Sequence, residues 1–177
     1  MTIKQSHPTL SALVCLIAAL LIAPSFGREQ GYPAQKVKTS MQLLQSEAAK
    51  LGPVKIEGTD LVAGNQVPAI YFGETKMNNN FDLVDDVVKK AGGTATIFVK
   101  NGNDYIRVAT NVKKDDGSRA VGTILDPNGE VIVNIRDDKA FYGEATVLGK
   151  AYTTGYEPIR DSAGNVIGIY YVGYLKE

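Results

Sequence analysis

The feature that most constrains this chain is its second half, where β-branched and aromatic runs alternate with short polar turns. Residues 94–100 (TATIFVK) lead through Asn101-Gly102-Asn103-Asp104 into residues 105–112 (YIRVATNV), the pattern of a β-hairpin. A polar turn (KKDDGS, 113–118) precedes a third expected strand over 119–125 (RAVGTIL). Asp126-Pro127-Asn128-Gly129 is a tight turn. An apolar segment follows at 131–135, then a short helical or irregular stretch at 138–145. A long strand is expected over 147–159, turned by DSAGN (161–165) into a final strand over 166–175.

The first half reads as helix. Val37, Met41, Leu44, Ala48 and Leu51 fall at steps of four and three, one apolar stripe on a helix over 34–51. Gly52-Pro53 stops it. Residues 54–77 read as irregular, punctuated by Gly58, Gly64, Pro68 and Gly73, with a short strand at 69–72. Asn78, Asn79 and Asn80 offer caps for a second helix over 81–90, in which Leu83, Val84, Val87 and Val88 face inward. Helices followed by hairpin-linked strands predict an α+β fold with an antiparallel sheet. The βαβ alternation and glycine-rich phosphate loop of a nucleotide fold are missing.

Residues 1–27 read as a secretory signal peptide. Lys4 is followed by an uncharged apolar run at 10–23, then by Pro24 and a small-residue cleavage site ending at Gly27. The run is shorter than the roughly 20 residues of a spanning helix. The alternative is an uncleaved N-terminal anchor. Residues 28–177 then form one domain, with 18 basic and 19 acidic side chains and a balance of −1. No basic stripe marks a nucleic-acid partner. The only histidine, His7, and the only cysteine, Cys15, lie in the signal segment. Residues 28–177 therefore lack the usual ligands of zinc, copper and haem, and have neither a cysteine nucleophile nor a Ser–His relay. No cofactor and no enzymatic activity are expected. Asp115-Asp116-Gly117 and Asp126-Pro127-Asn128-Gly129 look like fragments of calcium loops but lack the terminal Glu, and turn chemistry explains both.

Four stretches, taken in order, carry a family resemblance: 92–112, 119–125, 142–159 (YGEATVLGKAYTTGYEPI) and 166–174 (VIGIYYVGY). They resemble the single-Cache extracellular domains of bacterial chemoreceptors and sensor kinases, of the Cache 3/Cache 2 fusion type. The resemblance implies a PAS-like fold, with N-terminal helices on one face of a central antiparallel sheet and a small-molecule pocket on the other. It also implies ligands such as organic acids or amino acids, and a periplasmic or secreted location. The final strand runs to Leu175 and the sequence ends at Glu177. The expectation is therefore a free exported binding protein, or one that presents its ligand to a separate membrane receptor. The competing reading is a dimerisation or protein-interaction module with a vestigial pocket.

Arg107 is the first candidate for ligand contact. It stands mid-strand among apolar residues, where an unpaired cation is costly, and its planar fork suits a carboxylate. Strand alternation groups Tyr105, Arg107, Ala109 and Asn111 on one face. Tyr142, Lys150 and Tyr152 follow as hydroxyl and ammonium donors for an anion, with Tyr105 and Asn111 weaker. Lys150, Tyr152, Thr154 and Tyr156 alternate on one side of their strand. Gly149, Ala151, Thr153 and Gly155 leave the other side flat, for close packing.

Overall fold

The structure, a computed structural model, describes residues 1–2 and 31–176. The expected signal peptide lies outside the described residues, apart from the first two. The apolar stripe does form a helix, α1 (Gly31–Leu51), and Val37, Met41, Leu44 and Ala48 are buried. Leu51, the last residue of the stripe, is half exposed, because the chain leaves the helix at Gly52. A second helix, α2 (Asp82–Ala91), buries Leu83, Val84 and Val87. None of the three asparagines is its N-cap, which is Phe81 without a side-chain bond; Asn80, just before it, accepts at Oδ1 from Asp82 N at 3.1 Å. Asn78 is buried elsewhere: its amide accepts from Ile70 N at 2.9 Å and donates to Pro68 O.

The stretch read as irregular is instead a small antiparallel sheet: β1 (Val54–Val62), β2 (Asn65–Phe72) and β3 (Thr75–Lys76). The loop between its long strands is Ala63-Gly64, with φ of 49° and 84°. Positive φ at both positions is the geometry whose twist matches a hairpin. The usual Asn-Gly signal is absent, so the sequence pattern did not reveal it.

The main sheet has five strands: β4 (Thr94–Asn101), β5 (Asp104–Thr110), β6 (Phe141–Val147), β7 (Lys150–Arg160) and β8 (Val166–Leu175). Their order is β5-β4-β8-β7-β6, antiparallel throughout. The expectations for 119–125, 138–145 and 147–159 need correction here. Residues 119–125 form no strand; they run along the outer edge of β5 through Arg107 N to Thr123 O (3.0 Å) and Leu125 N to Tyr105 O (2.9 Å). Gly122 breaks their extension with a φ of 79°. The apolar segment near 131 is a short helix, α3 (Glu130–Arg136), burying Val131, Ile132 and Ile135. The expected long strand over 147–159 is β7, which starts only at Lys150 because Leu148-Gly149 is a second tight turn, with positive φ at both residues (48° and 81°), joining it to β6. Within 138–145, the stretch from Phe141 is therefore strand rather than helix.

Each face of the sheet carries its own core. Helices α1 and α2 cover one, packing Val37, Met41, Val84 and Val87 against Ala95, Ile97, Val99 and Val172. The other holds Phe98, Tyr105, Phe141, Tyr152, Tyr156, Ile169 and Tyr171, under α3 and the segment around Leu125. Helices on one face of an antiparallel sheet, with a second core on the other, match the expected α+β, PAS-like arrangement.

The central strand tolerates no extra atom at Gly168: a Cβ there would stand 2.4 Å from Phe98 O of the paired strand. Because the obstacle is main chain, the sheet must distort to accept it. Gly168→Ala is expected to destabilise the fold by about 1–3 kcal/mol or more, measured as a lowered urea midpoint at unchanged slope. Gly102→Ala, in open space at the turn of β4 and β5 (φ 62°), tests strain alone and should cost about 1 kcal/mol or less.

Candidate functional site

Strand β5 positions the site. Its residues pair as Arg107 with Phe98 and Ala109 with Ile97, so Val108 is an extra residue on β5. This bulge shifts the alternation. Tyr105 and Arg107 face the side away from the long helices, but Ala109 turns into the helix-side core. The expected grouping of Ala109 and Asn111 with Arg107 is corrected for that reason. Asn111 instead accepts a main-chain hydrogen bond from Ala95 N at 2.8 Å.

Arg107 is 3% exposed. Its Nη1 donates to Thr123 Oγ1 at 2.7 Å, and its Cζ lies 4.8 Å from the centre of the Phe98 ring. Thr123 is itself fixed by donating to Ala120 O. The guanidinium Nε is buried with no partner among the described residues. Among the described residues no carboxylate lies within ion-pair distance of Arg107. Burial works against its charge and lowers its pKa, while the nearby Tyr156 and Tyr171 hydroxyls act in the opposite direction.

Arg107 borders a cavity of about 360 Å³, near the low end of the ~300–1,000 Å³ typical of small-molecule pockets. Ile124, Leu125, Val131, Phe141 and Leu148 supply its apolar wall, and Tyr156 closes it from β7. The Tyr156 ring packs on Tyr171 at 4.9 Å and on Phe141 at 6.2 Å. Its hydroxyl makes no hydrogen bond among the described residues, and burial raises its pKa well above the ordinary tyrosine value. Tyr171 is raised further by burial and by Tyr156, with its hydroxyl shared with Thr94 Oγ1 at 3.1 Å. A cation and a free phenol thus border a hollow of mixed character, in which the apolar wall is joined by the carboxylates of Asp126, Glu130 and Glu144. That set can accept a small ligand bearing an anionic oxygen pair.

The other four sequence candidates do not join Arg107 at this cavity. Tyr142 lies on the opposite face, over Gly155 and beside Val37 of α1, and its hydroxyl donates to Glu157. The even-numbered residues of β6 point to the helices, which the pairing of Tyr142 with Gly155 fixes. Lys150 begins β7 at the Leu148-Gly149 turn, exposed and 3.7 Å from Asp115. Tyr152 shares the correct face but is buried in the apolar cluster, outside the cavity lining. Tyr105 lines a separate cleft with Lys100, Arg136 and Asp138, and burial raises its pKa. Tyr156 and Phe141 are the residues that sequence reasoning passed over. Tyr156 stood in the correctly phased set on β7, and only the position of α3 shows which member of that set meets the cavity.

A sequence model of the Cache 3/Cache 2 fusion domain matches residues 28–177, spanning both cores and the cavity. The chain belongs to this Cache family. Family membership brings extracellular small-molecule sensing as its general role. No curated protein matches the chain. Among the described residues, no helix of this Cache domain is long and apolar enough to cross a membrane.

Two outcomes follow from the geometry of the Cache pocket. Arg107→Met removes a buried charge that lacks an ionic partner while keeping most of its volume. In the ligand-free protein it should be neutral or stabilising by about 1–4 kcal/mol, read by denaturant unfolding. The opposite result, a loss of several kcal/mol, would reveal an internal counter-charge. Tyr156 and Tyr171, with pKa values higher folded than unfolded, contribute stability that is complete below about pH 10 and declines as pH rises beyond it. Absorbance at 295 nm should show both phenols ionising only together with unfolding, and Tyr156→Phe/Tyr171→Phe should flatten the alkaline fall in stability.

Proposed function

We propose that this Cache domain is a non-enzymatic, extracytoplasmic binding domain whose ligand is a small organic carboxylate held by Arg107. The observation that carries the reading is Arg107, buried beside a cavity and in no ion pair among the described residues, although Asp126, Glu130 and Glu144 line the same cavity. A buried charge left unpaired costs several kcal/mol. A ligand carboxylate would offset that cost with charge-assisted hydrogen bonds, to Nε among others. The second support is Tyr156, whose free hydroxyl can donate to the same anion. The apolar wall would take the carbon skeleton of a small acid, with its carboxylate on Arg107 and away from Asp126, Glu130 and Glu144. Export to the periplasm or the medium, and service to a membrane receptor, complete the proposal. They rest on the family context and on the signal-like segment at residues 1–27.

A thermal-shift series with acetate, propionate, lactate, succinate and benzoate tests the reading. At a hundredfold excess over Kd, a bound acid adds about 2.7 kcal/mol of stability, a rise in Tm on the order of 5–10 °C for a domain of this size. Arg107→Ala should abolish the shift. A full shift retained in Arg107→Ala would reject the assignment. No shift with any acid, in a stable dimer, would favour a protein-interaction role.

A further inference from the structure

The cavity meets the main sheet along an edge. Strand β6 is outermost, and only β7 pairs with it. Glu144 and Thr146 are in phase with Tyr142 and turn toward the helix side, where Glu144 bonds Lys176 Nζ. Ala145 turns the other way, opposite Tyr152. All three consecutive residues nevertheless border the cavity. Residues of both phases can border one hollow where the wall is the backbone edge of the strand itself. Along such an edge every second residue directs its N–H and C=O outward. Among the described residues, the main-chain groups of β6 bond only within the pair it makes with β7. The opposite edge of the sheet is different, because residues 119–125 cover β5 with main-chain hydrogen bonds. The open edge is therefore the one that shares a cavity with Arg107, where Glu144 is held by Lys176 and Asp126 and Glu130 complete the charged part of the lining.

We infer that the site takes the C-terminal end of a short peptide, its carboxylate on Arg107 and its extended main chain paired along β6. The inference rests on the carboxylate role proposed for Arg107 and adds a second recognition element to it. Strand addition draws affinity from main-chain hydrogen bonds and reads side chains only weakly. A carboxylate at one end fixes register and direction. The apolar wall formed by Leu125, Val131 and Phe141 would receive the side chain of the terminal residue. A simple acid such as propionate would satisfy Arg107 and leave the edge of β6 to water.

Calorimetry and amide hydrogen exchange on the full chain test this with four probes. They are N-acetyl-Ala-Ala with a free carboxylate, its C-terminal amide, versions N-methylated at each amide in turn, and propionate. The free acid should bind about tenfold or more tighter than propionate, the effect of two added hydrogen bonds. It should slow exchange at amides within 142–147. Amidation of the terminus should cost at least as much, and so should one of the two N-methylations. If propionate binds as well as the peptide and N-methylation costs nothing, the edge takes no part and the inference is overturned, while the role of Arg107 stands. If the amidated peptide binds as well as the acid, the carboxylate anchor fails and the inference falls with it. No binding of any probe at millimolar concentration would reject both.

Discussion

Both cores of this domain depend on one strand, β8, held between β4 and β7. It is the last strand in chain order and the middle one in space. Its alternating side chains feed the two faces: Ile169 and Tyr171 enter the aromatic cluster beside the cavity, and Val172 enters the core under α1 and α2. Tyr174 ties the helices down, with its hydroxyl 2.6 Å from Ser40 Oγ and donating to Ala91 O. Both the helix layer and the aromatic cluster beside the pocket pack on that strand. Contacts so distant in sequence favour slow, cooperative folding.

Two arginines show how the fold separates structure from binding. Arg119 makes a bidentate pair with Asp85, at 2.8 and 2.7 Å, donates to Thr110 O and stacks on Phe81. Its charge is satisfied inside the protein, and it pins the 119–125 segment to the helix layer. Arg107 receives one hydroxyl and one aromatic ring. The same segment serves both, because Thr123, four residues after Arg119, supplies that hydroxyl. A stretch anchored by one cation thus holds the other in place, and only the second is left with bonding capacity facing a cavity.

The sequence made some of this legible and hid the rest for identifiable reasons. The stripe of α1 and the hairpin of β4 and β5 could be read because period and turn residues agreed. The small sheet and the hairpin of β6 and β7 could not, because Ala63 and Leu148 occupy positive-φ turn positions usually marked by Asn or Asp. Residues 119–125 carry β-branched and apolar side chains, yet Gly122 bends them into a covering segment. Its close approach to Ala63 leaves no room for a Cβ. The sequence of α3 (EVIVNIR) is as β-branched as any strand here, and packing onto β6 and β7 decides its form. At the site, Arg107 was legible because a lone charge in an apolar strand demands an explanation. Tyr142, Lys150, Tyr152 and Tyr105 were grouped with it because alternation assigns a face but not the neighbour that covers it.

The surplus residue in β5 breaks that strand's alternation. Tyr105 and Arg107 serve the ligand side and Ile106 the helices, but Val108 and Ala109 both enter the helix-side core. Without that bulge, strict alternation of the same residues would put Arg107 and Ala109 on one face. The bulge at Val108, as well as the identity of residue 107, thus decides which side chains reach the pocket.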